Sequence, residues 1–424
     1  MSKLNINIEK NGKMIPVGVI EGDSRDDASF RYHNDYLEDS GNTAISLSLP
    51  LQKEEFSASQ TANFFEGLLP EGFTRRSVAN YMHVDENDYL SILHGLGREC
   101  LGAISVTENG EEIEASYEPI TDKQIGELAA EGVTKSTEIV TKTHLSLTGA
   151  SGKVGLYYSE HENKWCLPYG AAPSTHIVKQ SHVRLDSIVT NEMLSLQTAA
   201  LCGIDIPKSF IVNTGKGEEN EVLLATKRYD RLINEKSAIL NGLRVPFRLH
   251  QEDFAQALGI PSSEKYERDN KGYMKKMFEA LRIYSSDPIA DQLKLWDIIV
   301  FDYLIGNTDA HIKNFSLLYS PSMNGIRLAP AYDIVSTVIY EQSTRDMSFS
   351  IGGKYSVDEI DEDCFRLAAK ECGLGEKMAL GRFRNMRDKF QTSLRTVSEK
   401  LASQGYEKAE ELTDRIVKNR RIYK

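Results

Sequence analysis

The residues best suited to chemistry lie between positions 296 and 337. The run Asn307-Thr308-Asp309-Ala310-His311-Ile312-Lys313-Asn314 carries an Asp and, five positions on, an Asn, and a second carboxylate follows at Asp333. One carboxylate to accept a hydroxyl proton, with a carboxamide and a second carboxylate to hold Mg²⁺, is the side-chain set of phosphoryl transfer. Alone, the Asp-x-x-x-x-Asn spacing is weakly specific, because a chain this long carries it about once by chance. A surface loop with Asx turns uses the same residues.

These groups need elements to hold them. Trp296, Ile299, Val300, Tyr303 and Leu304 repeat at helical spacing, which predicts a buried helix stopping at Gly306. After the loop, 315–319 reads as a short strand, 320–325 as a turn and 326–329 as a returning strand. Such a hairpin places Asn314 and Asp333 at its two open ends.

Upstream, strand-like 139–145 runs into Ser146-Leu147-Thr148-Gly149-Ala150-Ser151-Gly152-Lys153, and 154–158 reads as another strand. A glycine-rich turn between strands can lay backbone N–H groups over phosphates, although a plain hairpin loop has the same composition. It is not a Walker loop, since only two residues separate Gly149 from Gly152 and a strand follows. The next strand, 175–179, ends in Lys179, and a helix over 188–201 carries Glu192 in its first turns, where it could pair with that ammonium. A strand over 222–226 then leads to Lys227, Arg228 and Tyr229. A terminal lysine by itself is an ordinary solvated charge, but glycine-rich loop, Lys, Glu, Asp-Asn loop and Asp follow the sequence order of a kinase.

The remaining chain looks like ordinary globular protein. Its 424 residues are 40% hydrophobic and 26% charged, room for two or three domains. A net charge of −12 argues against bulk nucleic-acid binding. Cys100, Cys166, Cys202, Cys364 and Cys372 have no metal-ligand spacing and read as reduced packing residues. No signal peptide or membrane-length apolar run is seen, so a soluble cytoplasmic protein without membrane partners is expected. In the first 110 residues, alternation at Leu4, Ile6 and Ile8, a turn at Gly12 and a strand over 15–20 predict a hairpin. Ile45, Leu47 and Leu49 predict a further strand, and Phe64, Phe65, Leu68 and Leu69 a helix. The Gly97–Gly102 stretch reads as a turn into a strand over 103–106. The polar stretch 107–135 reads as a linker with a helix over 122–130 capped by Thr121. Helices are expected over 251–258, 273–284, 288–305, 365–369, 380–401 and 407–416. Arg382, Arg384, Arg387 and Lys389 form a basic stretch, read first as a solvated helix face and second as a contact for nucleic acid or an acidic partner.

With these parts assembled, the chain resembles the HipA-type serine/threonine kinases, toxins of bacterial HipBA toxin–antitoxin pairs. The resemblance rests on residues 97–102, 146–153, 175–179, 227–231, Arg248-Leu249-His250-Gln251-Glu252-Asp253, 305–315 and 328–337. It implies an α+β, bilobal protein-kinase-like fold with an extra N-terminal α/β subdomain and a mainly helical C-terminal lobe. The implied boundaries are 1–110 for that subdomain, 111–235 for the N-lobe and 236–424 for the C-lobe. Asp309 would be the catalytic base, helped by Lys313, with Asn314 and Asp333 as Mg²⁺ ligands. ATP would contact Thr148, Gly149, Ala150, Ser151, Gly152, Lys153, Lys179, Glu192, Lys227, Arg228, Tyr229, His311 and Tyr332. Ser146 matches a serine that the family autophosphorylates, expelling the loop; a phosphate there adds about −1.5 to −2 charges beside the ATP site.

The implied partners are a HipB-like helix-turn-helix antitoxin, operator DNA through that antitoxin or a local basic patch, and a protein substrate such as an aminoacyl-tRNA synthetase, glutamyl-tRNA synthetase in the best-known case. Two departures stand out. His311 occupies the position where ordinary protein kinases carry Lys, leaving Lys313 to supply that charge, and Ile334-Val335 replaces Phe-Gly after Asp333. A small-molecule kinase and a pseudokinase acting as a co-repressor are the alternative readings.

Overall fold

The alternating residues Leu4, Ile6 and Ile8 are all buried, and they set the inner face of strand β1 (Ser2–Lys10). A turn at Asn11 and Gly12, both at positive φ, returns the chain antiparallel as β2 (Lys13–Gly22). With β3 (Ser29–Tyr32) and β4 (Ile104–Thr107) these strands form a sheet ordered β3-β2-β1-β4. The computed structural model describes residues 2–108, 114–143, 152–181 and 185–420. It divides into two units: 1–182, 212–262 and 318–325 in the first, and 183–211, 263–317 and 326–424 in the second.

In the first unit, helix α1 (Ala58–Phe65) buries Phe64 and Phe65, as the apolar stripe predicts. The polar stretch after β4 contributes β5 (Ala115–Pro119), and α2 (Asp122–Glu131) starts from Thr121 in a reciprocal capping box with Gln124. Helix α3 (Val133–Thr143) follows. Strands β6 (Lys153–Ser159), β7 (Lys164–Gly170), β8 (His176–Gln180) and β9 (Val222–Lys227) run with β5 in the order β5-β7-β6-β8-β9.

Three local expectations fail here. Residues 139–143, expected as strand, belong to α3. Its buried Ser136, Ile139, Val140 and Thr143 repeat at helical spacing, and Thr141 and Thr143 bond back to the carbonyls of Thr137 and Ile139 at 2.8 Å. Residues 45–49 form only an isolated bridge, Ser46 to Leu49. A buried carboxylate captures this segment: Glu252 accepts from Ser46 Oγ at 2.5 Å and Leu47 N at 3.1 Å. Residues 251–258 start as strand (Gln251–Asp253), and Asp253 then caps a short helix (Phe254–Ala257) by accepting from Gln256 N at 2.9 Å.

The deepest polar feature of this unit is a cluster of three guanidiniums and three carboxylates, formally neutral. Glu99 accepts from Arg228 (3.0 Å), Arg231 (2.9 Å) and Arg248 (3.1 Å). Asp230 accepts from Arg228 Nη2 and the Gly102 amide, both at 2.7 Å, and Arg248 Nη1 also meets Glu9 Oε2 at 3.2 Å. Burial alone would raise the Glu99 carboxyl, but Arg231, Arg248 and Arg228 outweigh it and bring it to about 2. Asp230 falls to about 2 in the same way, through Arg228 and Arg231.

In the second unit, α4 (Ile188–Leu201), α5 (Tyr273–Tyr284) and α6 (Pro288–Ile305) take the predicted bounds. The hairpin β10 (Ser316–Tyr319) and β11 (Ile326–Leu328), whose residues 318–325 are counted with the first unit, is followed by β12 (Asp346–Ile351) and β13 (Lys354–Ser356). Helices α7 (Glu362–Glu371), α8 (Glu376–Ser403) and α9 (Lys408–Lys418) complete it. Helix α6 is apolar nearly all round and central: Trp296 stacks edge-on to Phe365 and donates Nε1 to Ala379 O at 3.1 Å, while Phe301 meets Phe390. In the basic stretch of α8, Arg382 pairs with Asp297, and Arg384 and Arg387 pair with Glu362. Among the described residues no helix is long and apolar enough to cross a membrane.

Removing one member of the buried ionic cluster leaves uncompensated charge. Glu99→Ala is expected to cost about 3–5 kcal/mol in chemical denaturation. Because Glu99 and Asp230 titrate lower folded than unfolded, they stabilise above the ordinary carboxylate range. Stability of the wild type should therefore fall as pH drops from about 4 toward 2, measured by melts across that range.

Candidate active site

Helix α6 ends because Gly306 turns left-handed, at φ +76°, and its amide still reaches Asp302 O at 3.0 Å. A Cβ there would lie 2.3 Å from Val338 Cγ2, so both conformation and packing require glycine. The loop beyond it is tied to the segment after Asp333. The amides of Thr337 and Val338 donate to Gly306 O at 3.0 and 3.1 Å, and Ser336 Oγ donates to Ile305 O at 2.6 Å. Thr337 Oγ1 accepts from the Thr308 amide at 2.7 Å, immediately before Asp309.

Asp309 is exposed, as a base that must meet a hydroxyl requires. Asn314 donates Nδ2 to the Asp309 carbonyl at 3.0 Å, so its carboxamide oxygen is the end left to ligate a cation. Asp333 sits half-buried at φ +57°, strained for a side chain other than Gly, Asn or Asp. Its neighbour Tyr332 donates to Lys313 O at 3.0 Å and its hydroxyl also meets Ser316 Oγ at 2.6 Å, which fastens the Asp333 segment to the Asn314 turn. Lys313 and His311 are buried. Behind them, Asn307 Nδ2 bridges Asp302 Oδ1 (2.9 Å) and Asp333 O (3.4 Å). Burial, reinforced by the Asp333 charge and opposed by the Asn307 bond, pushes the Asp302 carboxyl up to about 8.

One carboxamide oxygen and one carboxylate fit Mg²⁺, which typically takes one or two carboxylates and completes its shell with phosphate oxygens and water. The described residues contain no cluster of three or more His, Cys, Asp or Glu that could hold a metal.

The other predicted nucleotide residues lie in different settings. In the first unit, Lys153 and Lys179 are direct cross-strand partners on β6 and β8, both half-buried. Gly152 packs so closely that a Cβ would meet Gln180 Nε2 at 2.0 Å. Lys227 pairs with Glu160 at 3.0 Å, Tyr229 donates to Gln251, and Arg228 is engaged by its side chain in the buried cluster and by its amide, which donates to Thr175 O at 2.9 Å. Glu192 is buried on α4 of the second unit. Ser146, Thr148, Gly149, Ala150 and Ser151 lie outside the described residues.

One residue near the base had no signal in the sequence. Tyr266 donates to Asp309 Oδ1 at 2.6 Å across 43 positions, a separation that no local spacing rule reads.

Comparison with known proteins decides the family. Residues 145–394 match the HipA-like C-terminal domain, and residues 11–107 match the HipA N-terminal domain. The chain belongs to the HipA-like family. This HipA-like chain is 33% identical over 393 residues to a Sinorhizobium fredii protein named "Putative kinase Y4mE", covering 90% of the chain and 89% of the relative. It is 27% identical over 343 residues to the serine/threonine-protein kinase toxin HipA of Shewanella oneidensis, covering 78% and 75%. Its fold matches a chain of the solved complex of HipA, HipB and operator DNA from that organism's toxin–antitoxin system. The TM-score is 0.78 at 22% identity, over 98% of this chain and 97% of the other. The HipA-like α+β kinase fold expected from the sequence is therefore the fold observed.

If Thr337 fastens the two loops, Thr337→Val should cost about 1–3 kcal/mol by leaving the Thr308 amide without its acceptor. An unchanged midpoint in urea would overturn that role.

Proposed function

We propose that this chain is a Mg-ATP-dependent serine/threonine protein kinase and the toxin of a type II toxin–antitoxin module. The observation that carries the reading is the fastening of Asp309, Asn314 and Asp333 onto one hydrogen-bonded frame in a HipA-like chain. Asp309 takes the proton of the substrate hydroxyl as its oxygen bonds to the γ-phosphorus and the bond to the ADP oxygen breaks. Asn314 and Asp333 hold Mg²⁺, which when bound neutralises charge on the phosphates. Lys313 lies beside the transferred group, Lys179 and Lys153 take phosphate oxygens, and the glycine-rich loop from Thr148 covers the nucleotide. Glu192, His311, Tyr332 and residues 227–229 are the remaining proposed nucleotide residues.

The same reading makes Ser146 the autophosphorylated, self-inactivating serine. It assigns 1–110 to the N-terminal subdomain, 111–235 to the N-lobe and 236–424 to the C-lobe of a cytoplasmic protein. A HipB-like antitoxin is the proposed neutralising partner, with operator DNA met through it, because Arg382, Arg384 and Arg387 already pair with acids of this chain. A component of the translation machinery, an aminoacyl-tRNA synthetase by resemblance, is the proposed substrate.

Intact-mass measurement after incubation with Mg-ATP tests the reading. Wild type should gain one phosphate of about 80 Da, and Asp309→Ala should gain none while binding ATP near normally. Absence of any gain in a protein that starts unphosphorylated would refute kinase activity. Asp333→Ala should weaken ATP binding in the presence of Mg²⁺, and equal affinity for both proteins would remove Asp333 from the metal site.

A further inference from the structure

We infer that Tyr266 is a positioning residue for the catalytic carboxylate, an inference that rests on the kinase reading of Asp309. Its hydroxyl donates to Asp309 Oδ1 at 2.6 Å, and its ring meets the His311 ring edge-on at 5.3 Å between centroids. An exposed aspartate on a loop has two free side-chain torsions; a donor on one oxygen sets the plane of the carboxylate, and thereby where the other oxygen points. That is the orientation a base needs toward an incoming hydroxyl.

The contact is built into the frame. Tyr266 is followed by Glu267, a buried carboxylate that holds its own segment in place. Glu267 accepts from the amides of Tyr273 (3.0 Å) and Ser350 (2.7 Å), and its amide donates to Ser348 O at 2.7 Å. Ser348 in turn donates its hydroxyl to Thr308 O at 2.7 Å. One β12 residue therefore grips both the residue after Tyr266 and the residue before Asp309. The phenol–carboxylate bond closes a ring through 266, 267, 348, 308 and 309. A tyrosine suits this place, since a rigid ring with two torsions delivers a donor at little entropic cost.

Steady-state and single-turnover kinetics of the full-length protein test the assignment, followed by intact-mass phosphate incorporation and by ADP formation. Tyr266→Phe keeps the ring and removes the donor. It should lower kcat about tenfold, equal to about 1.4 kcal/mol, with KM for ATP and the thermal midpoint unchanged. In an Asp309→Asn background the same change should cause no further loss, because there is no carboxylate left to orient. A wild-type kcat for Tyr266→Phe, or an equal loss in both backgrounds, would overturn the positioning role while leaving the kinase reading standing. An unphosphorylated wild type that transfers no phosphate would instead overturn the kinase reading, and the role of Tyr266 with it.

Discussion

The second unit of this protein depends on how helix α6 is stopped. Gly306 turns left-handed where any other side chain would strike Val338, and the carbonyl it frees accepts two amides from the segment after Asp333. A helix end must satisfy its last carbonyls, and here the satisfying donors belong to the other half of the proposed metal site. One capping event therefore sets the register between Asp309 and Asp333. Thr337 and Ser336 add side-chain bonds to the same junction, and Tyr332 fastens its far side to Lys313. The two acids end up on loops, and backbone and side-chain hydrogen bonds at 306–308 and 336–338 tie those loops together.

The first unit solves a different problem with charge. Glu99, Asp230 and Glu9 balance Arg228, Arg231 and Arg248 out of contact with water, joining segments more than 200 positions apart. A buried pair is no guarantee of net stability, since desolvation offsets much of the attraction. What the cluster does impose is specificity: each guanidinium has partners with fixed directions, so the β9 exit and the Gly102 turn meet in one arrangement only. Its consequence for function is that the residue after β9 that looked available for adenine, Arg228, has its side chain spoken for. Lysines 153 and 179 meet as cross-strand partners on β6 and β8 of the same unit.

The acids around the site also divide by environment. Asp309 stays exposed under the Tyr266 hydroxyl, while burial of Asp302 behind Asn307 pushes its carboxyl up to about 8.

Much of this was legible in the residues. The bounds of α4, α5 and α6, the glycine stop, the hairpin around 320–325 and the capped α2 are local events, set by apolar spacing, caps and turn residues acting over a few positions. The Asp309-x-x-x-x-Asn314 spacing and the later Asp333 are local features of the same kind. The strand expected at 45–49 and the one expected through 139–143 were not local matters. Glu252, two hundred positions away, captures the first backbone segment, and burial of one face overrides β-branched propensity in the second. Composition likewise could not show that Arg228 is buried or that Tyr266 reaches Asp309. The sequence by itself determined which groups could do chemistry and the elements that carry them. Tertiary structure alone decided which charges are buried, which backbone groups they satisfy and which distant hydroxyl meets Asp309, because those depend on contacts between segments far apart in the chain.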